Sequence, residues 1–397
     1  MLPQIFPEAV TREEWPSRRA GLVELFRNYV YGRRPDLPYQ VESRLVSTAP
    51  AADGSAFREL YEVTVGTARG SVTMELALVL PNGTETVPVV LLLSNHDREV
   101  LPTSPPDMSV MAAVMEKASE EWRQSTMKML AGMGSGGMSG PELLDISADE
   151  DKGYWAVKEI VASGRAAAAF YASQAQIDDR NQFPSGLSAL FLDPDEPRAD
   201  DGWGTLGVWA FAASCMVDVL EKHPRVDKTK ISVGGHSRGG KAALWCAVQD
   251  ERIRGVLVNN SGCTGAAVSR GKQGEIVASI NAFFPHWFCP NYAGFSWKET
   301  EMPFDQHMLV AAMAPRLCYI TSGSEDHWSD PQAEWLGGVE GSAPWKLFGQ
   351  KGLQGDAPAA GEVVHHSAIG YHKRDGGHDL TAWDYCQFLD FLNKHGG

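Results

Sequence analysis

Ser237 lies in a glycine-rich segment whose residue types suit nucleophilic catalysis. The segment Gly235-His236-Ser237-Arg238-Gly239 is a Gly-x-Ser-x-Gly pattern that follows an apolar run and precedes a helical pattern starting near Gly239. A nucleophile on a sharp turn between a strand and a helix has a strained backbone, and small neighbours let the two elements approach closely. The helix N-terminus adds N–H groups and positive partial charge, which suit a developing oxyanion. The pattern therefore predicts a nucleophilic serine, the alternative being an ordinary glycine-rich turn.

A serine hydroxyl is a weak nucleophile unless a neighbouring base takes its proton. In enzymes built around such a turn, the acid and then the histidine follow the serine, and the histidine lies on a loop after the last strand. His378 is in the glycine-rich segment 374–379, directly before the last helical pattern, so we predict that it is the base. Three other histidines lie nearby: His365, His366 and His372. They are either loop residues without a catalytic role or part of a metal site. Their spacing is not one that is recognisable as a set of metal ligands.

The acidic member of such a triad should follow a strand between the serine and the histidine. The apolar run 317–322 is such a strand, and Ser324-Glu325-Asp326-His327-Trp328 comes directly after it. We predict Asp326 as the acid, with Glu325 as the alternative. An acidic loop residue is otherwise most often only solvated.

Short apolar runs and helical patterns alternate over most of the chain. Runs that are apolar on both faces are typical of buried parallel strands, and they occupy residues 87–93, 166–171, 231–234, 256–260 and 317–322. Helices are expected at residues 153–163, 202–220, 239–249 and 381–393, with a first helix after Thr11 and Glu14. Alternating stretches 57–65 and 72–80 predict an antiparallel hairpin. The alternation predicts a doubly wound α/β sheet with an antiparallel hairpin at its edge. Together with the serine turn and the order of the triad, we expect an α/β-hydrolase fold, a three-layer sandwich with a mostly parallel central sheet and an N-terminal antiparallel hairpin.

Two segments depart from this alternation. Residues 101–151 are rich in Met, Gly and Ser, and we expect them to be an insertion in a single catalytic domain that spans residues 1–397. Residues 271–302 are aromatic and irregular. Such a segment is either core or one of the long loops with which α/β sheets bind their ligands.

Composition limits the classes of partner. A net charge of −15 argues against nucleic acid and anionic membranes, which both require clustered basic residues. No stretch approaches the roughly 20 apolar residues that span a bilayer. The six cysteines are scattered singly and suggest neither zinc nor a disulfide scaffold. The first residues lack the features of a signal peptide, so we expect either a cytoplasmic protein or a mature form.

The same segments resemble bacterial glucuronoyl esterases of carbohydrate esterase family 15. The resemblance covers most of the chain and is weakest at residues 101–151. It rests on residues 29–35, 235–241, 260–267, 284–288, 303–307, 326–328 and 377–378.

The resemblance implies a substrate and roles for further residues. Such enzymes cleave the ester between 4-O-methyl-glucuronic acid of xylan and alcohols of lignin, and they are secreted or periplasmic. By resemblance, Arg238 helps to form the oxyanion hole, and the uronate is bound by Lys241, Glu275 and Trp328. From the residues alone, Lys241 lies one helical turn from Ser237 and could reach the same pocket, but an exposed helix lysine is usually only solvated.

One departure from the family concerns the triad acid. Many members carry a glutamate in a Glu-Ser-Gly motif, and Asn260 stands at that position here. An asparagine cannot carry the charge that stabilises an imidazolium, which favours Asp326. Fungal members also carry cysteines beside the serine and the histidine, where this chain has His236 and Asp379, so the bacterial type is the better match.

We therefore predict two-step acyl transfer on a glucuronate ester or glucuronoxylan by a monomeric enzyme that needs no metal or organic cofactor. One alternative is another carbohydrate or general carboxylester hydrolase, such as an acetyl xylan esterase. A second alternative, suggested by Asn260 alone, is a catalytically inactive carbohydrate-binding protein.

Overall fold

A computed structural model describes residues 1–6, 8–98, 104, 108–120, 122–124, 127, 143–148, 153–193 and 195–397. The strands are β1 Gln40–Ala51, β2 Ala56–Thr67, β3 Gly70–Pro81, β4 Val87–Ser94, β5 Ala166–Tyr171, β6 Val226–His236, β7 Ile253–Asn259, β8 Leu317–Gly323, β9 Val363–Val364 and β10 Ile369–Arg374. The helices are α1 Trp15–Tyr29, α2 Met108–Lys117, α3 Val157–Ala162, α4 Ala172–Ala175, α5 Gly186–Phe191, α6 Thr205–Leu220, α7 Arg238–Gln249, α8 Val277–Phe283, α9 Pro290–Ala293, α10 Gln306–Ala311, α11 Pro331–Gly341, α12 Ala343–Lys346 and α13 Ala382–His395.

All of these strands belong to one sheet, in the order β1-β2-β3-β5-β4-β6-β7-β8-β10-β9. The strands β5, β4, β6, β7, β8 and β10 pair in parallel, and β1, β2 and β3 pair antiparallel at one edge. Every residue of β5 and of β8 is buried, as a parallel strand covered on both faces requires. The predicted mostly parallel sheet with an N-terminal hairpin is confirmed.

The sequence pattern missed β1, the two-residue strand β9 and β10. Strand β1 is largely exposed and therefore lacks the apolar alternation that reveals a half-buried strand. Strand β10 is short, and Gly370 breaks the apolar pattern of its sequence. A Cβ atom at Gly370 would lie 2.6 Å from the Tyr319 ring and 2.8 Å from the Phe391 ring, so only a glycine lets the strand pack against these rings.

About half of the segment 101–151, predicted as an insertion, lies outside the described residues. Of its described part, α2 is a helix, and the Trp122 indole donates to the Gly274 carbonyl at 2.8 Å. In the aromatic segment 271–302, Trp287, Phe288 and Tyr292 are buried in the main core, which agrees with the core interpretation for these three.

All six cysteines are described and have free thiols, of which Cys386 alone is exposed. Within the described parts of the chain, no helix has both the length and the apolar character needed to cross a membrane.

Candidate active site

Ser237 occupies the sharp turn between β6 and α7. Its backbone has φ 55° and ψ −125°, which a non-glycine residue adopts only where the surroundings enforce it. A Cβ atom on Gly235 would collide with the backbone of Gly239, and one on Gly239 would lie 2.8 Å from Asn95 Oδ1. The glycines therefore permit the close approach of strand and helix that exposes the serine at the carboxyl end of β6.

His378 and Asp326 meet beside this turn. His378 Nδ1 lies 2.6 Å from Asp326 Oδ2, and the His378 ring packs on His236, the neighbour of Ser237, with centroids 4.4 Å apart. Burial would raise the pKa of Asp326, but the charge and hydrogen bond of His378 and hydrogen bonds from Ser329 lower it to about 2. Asp326 is therefore a buried, ionised carboxylate that holds the imidazole by its Nδ1 atom.

The alternative acid, Glu325, has an exposed side chain, and its backbone N–H donates to the Gly376 carbonyl at 2.9 Å. Asn260 connects the segments that carry Asp326 and His378. Its Oδ1 accepts from the Gly323 N–H at 2.9 Å, and its Nδ2 donates to the Gly377 carbonyl at 3.4 Å. Asn260 thus serves as a neutral bridge between these two segments.

Arg238 is fixed by Asp178, a residue that sequence reasoning missed. Arg238 Nη1 forms an ion pair with Asp178 Oδ2, and the guanidinium lies 5.2 Å from the centroid of the Trp287 indole. Asp178 Oδ1 also accepts from His286 Nε2 at 2.8 Å and from Trp287 Nε1 at 2.5 Å. Burial opposes ionisation of Asp178, but the Arg238 charge and the His286 hydrogen bond hold its pKa below the usual range.

Lys241 and Glu275 form a buried ion pair. Lys241 Nζ lies 2.8 Å from Glu275 Oε2 and donates to the carbonyls of Ser261 at 2.7 Å and Cys263 at 2.6 Å. The exposed fractions of the two side chains are 4% and 7%, so Lys241 is not a solvated helix lysine. Trp328 is half-buried, and its carbonyl accepts from the Glu275 N–H at 2.9 Å. The structure therefore brings Lys241, Glu275 and the segment after Asp326 together.

The other histidines of the C-terminal region bond to the protein. Tyr319 Oη lies 2.5 Å from His365 Nε2 and 2.9 Å from His372 Nδ1, and His366 Nε2 lies 3.0 Å from the Gly352 carbonyl. Among the residues that the structure describes, no group of three or more His, Cys, Asp or Glu side chains is placed to hold a metal ion.

Glu334 was also missed from the sequence. This fully buried carboxyl on α11 accepts from Ser261 Oγ at 2.9 Å, from the Gly262 N–H at 2.9 Å and from Ser322 Oγ at 2.6 Å. Asp178 lies in the connection that follows β5 and the short helix α4, on the carboxyl side of a predicted strand, and this position is a signal that could have identified it. Glu334, inside a helix, gave no such signal.

Comparison with known proteins adds to this geometry. A family model described as glucuronyl esterase of fungi matches residues 197–352. A carbohydrate esterase from an unknown prokaryotic organism is 33% identical over 392 residues, which are 98% of this chain and 87% of the relative. A solved glucuronoyl esterase from Solibacter usitatus has a TM-score of 0.82 at 31% identity, covering 100% of this chain and 98% of its own. A structure described as a promiscuous esterase of carbohydrate esterase family 15 from a marine bacterial metagenome has a TM-score of 0.81 at 31% identity, with 100% and 97% covered.

The fold and the serine turn are those of an α/β-hydrolase that acts as a serine carboxylic ester hydrolase. Within that class, the chain belongs to carbohydrate esterase family 15, the glucuronoyl esterases.

Proposed function

We propose that the protein hydrolyses esters of 4-O-methyl-glucuronic acid by an acyl-enzyme mechanism with Ser237 as nucleophile, His378 as base and Asp326 as acid. The observation that carries this proposal is the hydrogen bond of 2.6 Å between His378 and Asp326, beside a serine held at φ 55°. With its Nδ1 bound to the carboxylate, the imidazole has Nε2 free to accept the serine proton. Asp326 then stabilises the imidazolium.

Positive charge beside Ser237 supports the remaining steps. Attack on the ester carbonyl creates an oxyanion, and the Arg238 guanidinium, fixed by Asp178, supplies a preorganised charge for it. The imidazolium returns its proton to the departing alcohol, and water then hydrolyses the acyl-enzyme by the reverse sequence. None of these steps requires a metal or an organic cofactor.

Three residues form the proposed uronate site. Glu275 offers a carboxylate acceptor for sugar hydroxyls, and Trp328 offers a ring face. Lys241 already donates to Ser261, Cys263 and Glu275, so it would exchange one of these three bonds for a bond to the sugar. Glucuronoxylan esterified with lignin alcohols is the natural substrate that we propose, in a secreted or periplasmic setting and with the enzyme as a monomer. The net charge of −15 does not favour nucleic acid as a partner.

Substrate comparison tests the proposal. Wild type should hydrolyse methyl and benzyl glucuronate at least about 10²-fold more efficiently than 4-nitrophenyl acetate or acetylated xylan, because the uronate contacts are realised only with the sugar acid. Ser237→Ala is the control for activity that does not depend on the proposed nucleophile. Equal or higher efficiency on the neutral acetyl esters would instead support a general carboxylester hydrolase, the alternative favoured by the relative described as promiscuous.

A further inference from the structure

His378 lies on a loop whose sequence gives it little rigidity of its own. We call residues Asp375–Asp379 the His378 loop. It contains Gly376 and Gly377, and Gly376 has φ 108°, a conformation that side chains other than hydrogen rarely permit. A catalytic imidazole displaced by about 1 Å can cost on the order of 10²-fold in rate, so something must hold this loop.

Arg374, the last residue of β10, donates hydrogen bonds to backbone carbonyls of the loop on both sides of His378. Its Nη1 donates to the Asp375 carbonyl at 2.9 Å, and its Nη2 donates to the carbonyls of Gly377 at 2.7 Å and Asp379 at 3.2 Å. The absence of a side chain at Gly376 makes room for the guanidinium, because a Cβ atom there would lie 3.0 Å from Arg374 Nη1.

Asp384 anchors the guanidinium from the opposite side. Arg374 Nε lies 3.1 Å from Asp384 Oδ2 in an ion pair that lacks hydrogen-bond geometry, and the exposed fractions of the two side chains are 12% and 1%, so the attraction between the charges is poorly screened by water. Asp384 is itself fixed, since it caps α13 through Thr381 and its Oδ1 lies 2.7 Å from His372 Nε2. The cation is therefore held by a carboxylate that belongs to the rigid start of a helix.

We propose that Arg374, anchored by Asp384, is a positioning residue that holds the imidazole of His378 between Asp326 and Ser237. This inference rests on the triad of the proposed function. A planar guanidinium can bind three carbonyls and a carboxylate at once, whereas the single nitrogen of a lysine cannot span them. Arg374 does not touch the reacting atoms, so its removal should affect the geometry of the base rather than the binding of substrate.

Arg374→Lys tests the proposal. We expect kcat on benzyl glucuronate to fall by about 10- to 100-fold with KM changed by less than about threefold. The second-order rate of labelling of Ser237 by a fluorophosphonate should fall by a similar factor, since labelling depends on activation of the serine and not on the uronate site. Asp384→Asn, which keeps the shape of the side chain but loses the charge that faces Arg374, should show a smaller loss of the same kind and provides a second readout if Arg374→Lys folds poorly.

Arg316→Lys is the matched control. Arg316 also donates to two backbone carbonyls, those of Asp250 at 3.0 Å and Ile253 at 2.9 Å, but next to the first residue of β8, away from the site. We expect it to keep the wild-type labelling rate even if it lowers the melting temperature as much as Arg374→Lys does. Addition of methylguanidine to Arg374→Ala should restore part of the labelling rate.

Two outcomes would overturn the inference: labelling of folded Arg374→Lys at the wild-type rate, or an equal loss of rate in Arg316→Lys. Failure of the proposed substrate gives a different result. If wild type is labelled rapidly but cleaves no glucuronate ester, the substrate assignment is wrong, while the labelling rates still test Arg374.

Discussion

Asp326 and His378 share a hydrogen bond of 2.6 Å that joins a buried carboxylate to a partly exposed imidazole. The Asp326 side chain is 1% exposed and the His378 side chain is 35% exposed. The carboxylate is thereby kept from water and fixed by the Ser329 N–H at 3.1 Å, while the imidazole remains open to a substrate and to the hydrolytic water. With a pKa of about 2, Asp326 stays ionised throughout the pH range in which a histidine can act as a base.

Removing the charge of Asp326 while keeping its shape should abolish most activity. For Asp326→Asn we expect kcat to fall by about 10³- to 10⁴-fold, because the amide can no longer stabilise the imidazolium and can select the wrong tautomer. Steady-state hydrolysis of benzyl glucuronate measures the loss. Glu325→Gln is the matched control and should remain within about twofold of wild type. If the two variants exchanged these results, Glu325 would be the acid.

The buried Lys241–Glu275 pair should be coupled in stability. Lys241→Met leaves the Glu275 carboxylate in a buried position without its cation, and we expect the free energy of unfolding to fall by about 3–5 kcal/mol. The double variant Lys241→Met, Glu275→Leu should recover a substantial part of that loss, because no unpaired charge remains.

Denaturant unfolding of wild type, Lys241→Met, Glu275→Leu and the double variant gives the coupling energy between the two side chains. Additive losses would show that the two side chains do not depend on each other. All three variants should also lose activity on glucuronate esters more strongly than on 4-nitrophenyl acetate.

The parts of the fold that follow from local pattern could be predicted from the sequence. Strand β5 begins and ends where the apolar run 166–171 does, and α6 and α7 begin and end within three residues of the expected helices. Strand β6 begins five residues earlier than the apolar run that predicted it, because its first part carries polar residues at the margin of the sheet. Hydrophobic periodicity indicates which residues are buried, so it does not detect exposed strands such as β1 or glycine-containing strands such as β10.

Some residues of the site could likewise be predicted from the sequence, and others could not. Ser237 and Asp326 could be named because each follows a predicted strand, and His378 because it lies in a glycine-rich loop before the last helix, in the order that a serine hydrolase requires. The contacts of Asp178 could not be predicted, since they join it to Arg238 and His286, which are 60 and 108 positions away. Partners of this kind become visible only when the sheet brings distant loops to one edge.

Loss of the Asp178 charge should reduce turnover through Arg238. In Asp178→Asn the guanidinium loses its ion pair, and we expect kcat to fall by about tenfold with little change in KM. Arg238→Ala should cost more, about 10²- to 10³-fold, because it removes the oxyanion partner itself. Asp36→Asn, the same charge change at an exposed position, is the control. A wild-type kcat in Asp178→Asn would show that Arg238 is held without it.

Glu334 should make the stability of the protein depend on pH near neutrality. Burial raises the pKa of this carboxyl from 4.5 to about 7, despite the hydrogen bonds that it accepts from Ser322, Gly262 and Ser261. The folded state therefore holds the proton more tightly than the unfolded state. The resulting stabilisation is complete below pH 4.5 and is lost as the pH rises through 7.

Glu334→Gln cannot ionise and keeps an oxygen for the Gly262 N–H and an amide for Ser322 Oγ, so it should not share this loss. Between pH 5 and pH 8 we expect its free energy of unfolding to rise relative to wild type by about 2 kcal/mol, measured by urea unfolding at both pH values. Glu340→Gln, at an exposed position of the same helix, should show no such difference and controls for the change in net charge. A gap between Glu334→Gln and wild type that stayed constant with pH would mean that Glu334 ionises normally inside the fold, stabilised as an anion by its three donors.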